Sequence, residues 1–178
     1  MAQPRVLFLH GLEGTAHGTK VRWLRAAGFD VVAPVLETGT VKQSLEARTG
    51  PLIEAAFAEA LEAATQAIRE STPDLVVGSS FGGGLTVELM HRGLWAGPVV
   101  LLAPAARKLF GREHLPVGHH RAVVIHARHD AVVPVEDSLV MAAGCSGEVQ
   151  LWLVKDDHRL TQSVIDGVVG RAIRAVLA

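Results

Sequence analysis

Cysteine is nearly absent from the chain: Cys145 is the only one in 178 residues. One thiol cannot close an internal disulfide, so stability has to come from core packing, as suits a reducing compartment. Cys145 sits in the turn-like AAGCSGE with no base placed beside it, and is read as structural or incidental. Long apolar runs are also missing. None approaches the ~18 residues of a membrane span, and Val6 to Leu9 is too short for a signal-peptide core. Long basic runs are missing too, and the formal net charge is −1, so no nucleic-acid or anionic-membrane partner is expected. The expected location is the cytoplasm. Tyrosine and asparagine do not occur, while Ala, Val, Arg and Gly abound. That bias points to a GC-rich bacterial genome and carries no mechanism.

What is present is an ordinary globular balance, 49% hydrophobic and 20% charged, which argues against disorder. The length favours one domain over residues 1–178. Six continuous apolar runs read as strands covered on both faces, as in parallel sheets. They are RVLFL (5–9), DVVAPVL (30–36), DLVVGS (74–79), PVVLLA (98–103), AVVIHA (122–127) and VQLWLV (149–154). Helical signals separate them. Lys20 to Ala27 ends at Gly28, and Ile53, Phe57, Ala60, Leu61, Ala64 and Ile68 repeat at helical spacing. Phe81 to His91 can form a helix, and Pro134 to Ala143 has proline in its first turn and Gly144 at its end. The stripe from Leu160 to Leu177 predicts one last helix.

Strand and helix therefore alternate, which predicts a three-layer α/β/α sandwich around a six-stranded, mostly parallel sheet. Ligands bind beyond the carboxyl ends of such strands. Two connections lack strong periodicity, Glu37 to Pro51 and Ala105 to Arg121, and connections of that length often cover a site.

The third strand ends in Gly78-Ser79-Ser80-Phe81-Gly82. Only Ser80 falls in the frame G-x-S-x-G. A sharp strand-to-helix turn would expose its hydroxyl on a strained backbone, and side chains two residues away would collide across the turn. For Ser79 the flanking positions are Val77 and Phe81, both too large. A lone match also describes a glycine turn that binds an anion or merely packs. A serine nucleophile needs a base, and the base an orienting acid. Asp130 follows the fifth strand and His158 follows the sixth, on the same rim as Ser80. Each alone reads as a turn acid or a solvated loop histidine. Together they predict the triad Ser80, Asp130, His158.

The neighbours rank lower. Asp156 and Asp157 are too close in sequence to His158 to be its preferred acid. His126 reads as a core strand residue, and His129 as lining or flanking the site. His119-His120 and His126/His129 show no recognised ligand spacing, so no metal is expected. The first strand ends in His10-Gly11-Leu12-Glu13-Gly14. A turn there can present the Leu12 N–H, which with the Phe81 N–H would form an oxyanion hole. Glu13 would oppose an oxyanion, and is expected to face solvent or pair with a cation such as Lys20 or Arg22. GTAHGTK (14–20) is not a phosphate-binding loop: the frame requires glycine where Thr19 stands and Ser or Thr where Val21 stands.

LFLHGLEG, VVGSSFGGG, VVLLAPA, HARHDAVVP and DDHRL, in that order, resemble the α/β-hydrolase superfamily over most of the chain. Within it the sequence is most similar to small lidless esterase-like bacterial hydrolases, and similar in size to the retinoblastoma-binding serine hydrolases. The resemblance implies a minimal α/β-hydrolase fold and a Ser-His-Asp hydrolase without cofactor, with Ser80, Asp130 and His158 at the matching positions. Two departures stand out. The two antiparallel strands usual at the start of the fold are not expected, with Met1 four residues before the first strand. There is no helical cap domain, because Ala105 to Arg121 is too short for one.

The expected activity is that of a serine esterase or thioesterase acting on a small ester or thioester. Lactone, C–C bond or perhydrolase chemistry on the same triad is the alternative, as is a non-catalytic binding protein on the same fold. Leu109, Phe110 and Leu115, with Leu12, could line an apolar acyl pocket or simply tuck the connection onto the core.

Overall fold

A computed structural model describes residues 3–47, 50–118, 120–145 and 147–178. The apolar runs form six strands: β1 (Arg5–Leu9), β2 (Asp30–Val32), β3 (Leu75–Ser79), β4 (Val99–Leu102), β5 (Arg121–Ala127) and β6 (Glu148–Val154). They make one sheet in the order β2-β1-β3-β4-β5-β6, and every neighbouring pair is parallel. All strands therefore point their carboxyl ends to one rim.

The interior strands are covered on both faces, so alternate residues enter two separate cores. Leu7, Leu9 and Val76 join one apolar cluster with Ala60, Ala64, Phe81 and Leu85. Val6, Phe8, Leu75 and Val77 join the other with Val21, Leu24, Val169 and Ile173. The helices that supply these residues are α1 (Thr19–Ala26), α3 (Gly50–Ser71), α4 (Phe81–His91) and α8 (Val168–Leu177). The result is the three-layer sandwich that the alternation predicts.

Three boundaries differ from the sequence reading. The second strand stops at Val32 rather than running to residue 36. Pro34 has no N–H to give a ladder, and the Leu36 N–H goes instead to His10 Nε2 at 3.3 Å. The connection 37–51 is not an irregular loop: Thr38–Ala47 forms α2, and α3 already begins at Gly50. The terminal stripe is two helices, α7 (Thr161–Ile165) and α8, because Gly167 turns the chain at φ 72°. The connection 105–121 holds one short helix, α5 (Ala106–Phe110). Helix α6 (Val135–Ala143) follows Pro134 as expected.

Candidate active site

The rim beyond the strands gathers three side chains from distant parts of the chain. Ser80 stands between β3 and α4 with φ 53° and ψ −110°, a region a side chain rarely adopts. Its N–H donates to the Leu102 carbonyl at 2.8 Å, and its carbonyl accepts from the N–H groups of Gly84 and Ala105, each at 3.0 Å. Those bonds over-determine the strained turn. The flanking glycines make the turn possible. A β-carbon on Gly82 would overlap the Leu9 carbonyl, and one on Gly78 would lie 2.5 Å from the Gly82 carbonyl oxygen. Ser79, by contrast, is a buried strand residue.

His158 follows β6. Its Nε2 lies 2.9 Å from Ser80 Oγ and its Nδ1 lies 2.7 Å from Asp130 Oδ2. The carboxylate sits at Nδ1 and requires a proton there, so Nε2 is left to accept the Ser80 hydroxyl proton. Asp130 follows β5, and its side chain is fully buried. Oδ1 accepts the N–H groups of Val132 at 2.8 Å and Val133 at 2.9 Å. Burial pushes the Asp130 pKa up, but these amides and the His158 ring outweigh it and hold the carboxyl below its ordinary value.

The turn after β1 lies against the serine. A β-carbon on Gly11 would come within 3.3 Å of Ser80 Cβ. The Gly14 N–H closes this turn on the Gly11 carbonyl at 3.0 Å, leaving Leu12 and Glu13 as its central residues. Phe81 is the first residue of α4, so its N–H has no acceptor within the helix. Glu13 pairs neither with Lys20 nor with Arg22. It meets Arg159 at 3.3 Å. Lys20 has its pKa lowered by burial, against the fields of Asp156 and Asp157.

Asp156 and Asp157 shape the loop that carries His158. Asp156 Oδ2 accepts from Ser163 N and Oγ at 2.7 and 2.8 Å, and Asp157 Oδ1 accepts from Arg159 N at 2.8 Å. His129 is exposed, one residue before Asp130. Leu109 and Phe110 are not brought to Ser80. They border a groove of about 820 Å³ whose lining includes none of Ser80, Asp130 and His158. Phe110 stacks on Phe57 at 4.7 Å between centroids and tilts against Phe81 at 5.9 Å. Both side chains are partly buried and pack against the core cluster. Leu115 is buried in the same cluster. A smaller cleft of about 260 Å³, lined in part by His10, Thr15, His17, Leu36 and Thr38, borders the Gly11–Gly14 turn.

His126 is a buried strand residue, as read, but it also approaches Asp130 at 3.2 Å, which the sequence reading did not assign. The signal available was its place four residues before Asp130 at the strand end. Arg159 adjoins His158, and that adjacency is the local signal for its place at the rim. Among the described residues, no group of three or more His, Cys, Asp or Glu side chains is placed to hold a metal ion. His119 lies outside the described residues.

No protein-family model and no curated protein matches the sequence. Solved structures do match the fold. A protein from Xanthomonas campestris pv. campestris, assigned to the alpha/beta superfamily of hydrolases, superposes with a TM-score of 0.74 over 98% of both chains at 19% identity. The esterase domain of a Rhodothermus marinus protein gives 0.66 at 16% identity, over 99% of this chain and 90% of that one. A monoacylglycerol lipase from Paleococcus ferrophilus gives 0.67 at 13% identity, over 98% and 97%. At these identities the likeness speaks for architecture, and the chain has the fold of the α/β-hydrolase superfamily.

Proposed function

We propose that the chain is a serine hydrolase of the esterase or thioesterase type, acting on a small ester or thioester through an acyl-enzyme on Ser80. The observation that carries this reading is the continuous relay from Ser80 Oγ through His158 to the buried Asp130 carboxylate. Ser80 Oγ attacks the acyl carbonyl while His158 Nε2 takes its proton. Asp130 holds the ring in the Nδ1–H tautomer and stabilises the imidazolium. The N–H groups of Leu12 and Phe81 receive the oxyanion, Phe81 with the added potential of the α4 N-terminus. The carbonyl re-forms, the bond to the leaving group breaks, and His158 returns the proton to that group. Water then adds to the acyl-enzyme, gives its proton to His158, and the acid departs as Ser80 regains its hydrogen. A single domain in the cytoplasm fits the one-core length and the lone cysteine.

A fluorophosphonate probe tests the assignment. Wild type is expected to label and Ser80→Ala is not. Equal labelling of the two rejects the nucleophile. No labelling, together with no turnover of short-chain p-nitrophenyl esters or thioesters by folded protein, rejects the hydrolase reading.

A further inference from the structure

We propose that His126 is a positioning residue for Asp130, and that His126 and Ser138 extend the Ser80–His158–Asp130 relay through a close contact with Oδ2 and a hydrogen bond to the Val133 carbonyl. This rests on the hydrolase reading above and extends its machinery by two residues. The His126 ring is wholly buried at the end of β5. Its Nε2 faces two acceptors, the Val133 carbonyl at 3.1 Å and Asp130 Oδ2 at 3.2 Å. A lone pair there would repel both oxygens, so Nε2 carries the proton. Nδ1 lies 2.7 Å from Ser138 Oγ, on α6 and also wholly buried. With Nε2 protonated and the ring neutral, Nδ1 must accept, and the Ser138 hydroxyl donates to it. Ser138 thus satisfies Nδ1 in the tautomer that the two oxygens at Nε2 require.

The consequence for Asp130 is geometric. The amides of Val132 and Val133 hold Oδ1 alone. Without His126, Oδ2 would have only the His158 ring as partner, and the carboxylate could tilt about Oδ1 and follow that ring. His126 sets its buried, immobile Nε2–H within 3.2 Å of Oδ2, its hydrogen bond itself going to the Val133 carbonyl. The N–H of Val133 binds Oδ1, so the 130–133 turn is closed on both sides. The carboxylate plane is then fixed independently of His158, and the base is aimed at Ser80 by something that does not move with it.

The test combines kinetics with a measurement that needs no substrate. Turnover of a p-nitrophenyl ester is normalised to fluorophosphonate-titrated sites in wild type, His126→Leu, His126→Gln and Ser138→Ala. His126→Leu is expected to lower kcat about 10- to 100-fold with KM unchanged. His126→Gln, which restores a donor, recovers most of the loss, and Ser138→Ala lies between. In ¹⁵N-histidine NMR of the wild type, His126 is expected as the Nε2–H tautomer. A wild-type kcat per titrated site in folded His126→Leu overturns the proposal, as does a His126 protonated at Nδ1. If His126→Leu does not fold, Ser138→Ala and the tautomer still decide. If wild-type Ser80 fails to label, the hydrolase reading falls, while the tautomer separately reports whether His126 donates toward Asp130.

Discussion

Glu13, in the turn beside Ser80, meets Arg159, the residue after His158, with Oε2 and Nη2 3.3 Å apart. The contact joins the first and last loops of the rim. Both side chains are largely exposed, so the pair contributes at most about 1 kcal/mol to stability. Its weight falls on the electrostatics of the proposed oxyanion site. Arg159→Ala is expected to leave stability nearly unchanged and to lower kcat by exposing the developing oxyanion to an unpaired Glu13 carboxylate. Glu13→Gln in that background should restore turnover. Steady-state kinetics of the double-mutant cycle decide, and additive losses would show that the two residues act apart.

Replacing Ser80 should abolish acylation, whereas Ser79→Ala should keep most of it. Ser79 is buried at the end of β3, and the strained backbone belongs to its neighbour Ser80. Comparable loss of ester turnover in the two folded variants would overturn that division.

Gly82→Ala should destabilise the fold, because the new methyl group meets the Leu9 carbonyl, a backbone atom that cannot swing aside. Overpacking of this kind costs about 1–3 kcal/mol, with roughly 2–4 °C of Tm for each kcal/mol at this chain length. Gly39→Ala is the control: nothing lies within 4 Å of its added β-carbon, and it sits in the first turn of α2. Its Tm should hold or rise. Equal effects at the two glycines, read by thermal denaturation, would contradict the steric account.

Acid should weaken the protein in two stages. Burial lowers the pKa of His126 and of His10 in the folded state, against the opposing pull of the Val133 and Gly11 carbonyls. The unfolded chain then binds more protons than the folded one once pH falls below the ordinary histidine value near 6.5, so stability declines from there downward. Asp130 and Glu88 also have lowered pKa values: burial raises each, but is outweighed at Asp130 by its amide and His158 partners and at Glu88 by Arg112 and Arg92. Their contribution is present above the ordinary carboxylate range, near 4, and is lost as pH drops through the lowered folded values. Urea midpoints measured from pH 8 to 3 should show both declines. Combining His126→Gln with His10→Gln should flatten the first and spare the second.

The grouping of Ser80, Asp130 and His158 could be read from the sequence because each directly follows an apolar run, and the sheet rule carries all three to one rim. The strand over 5–9 and the helix over 81–91 were legible for a similar reason, local pattern with clear ends. What was not legible depended on partners far along the chain. Helix α2 lacks a strong apolar period, yet Leu36, Thr38 and Val41 at its start are buried. The early end of β2 turns on Leu36 giving its N–H to a histidine 26 residues earlier. Glu13 finds its cation 146 residues away, where local spacing offered Lys20 and Arg22. His126 was placed correctly as a buried strand residue, but its link to Ser138 exists only once α6 packs back on β5.

The six-stranded sheet treats its two reactive loops unequally. Ser80 rises from β3, wholly buried and flanked by β1 and β4. His158 follows β6, an outer strand bonded to β5 alone and partly exposed along its length. Outer strands detach at lower free energy than central ones. A brief loosening of β6 would carry His158 away while the turn at Ser80 stayed intact. The proposed relay is therefore expected to come apart at the margin of the sheet before the centre gives way.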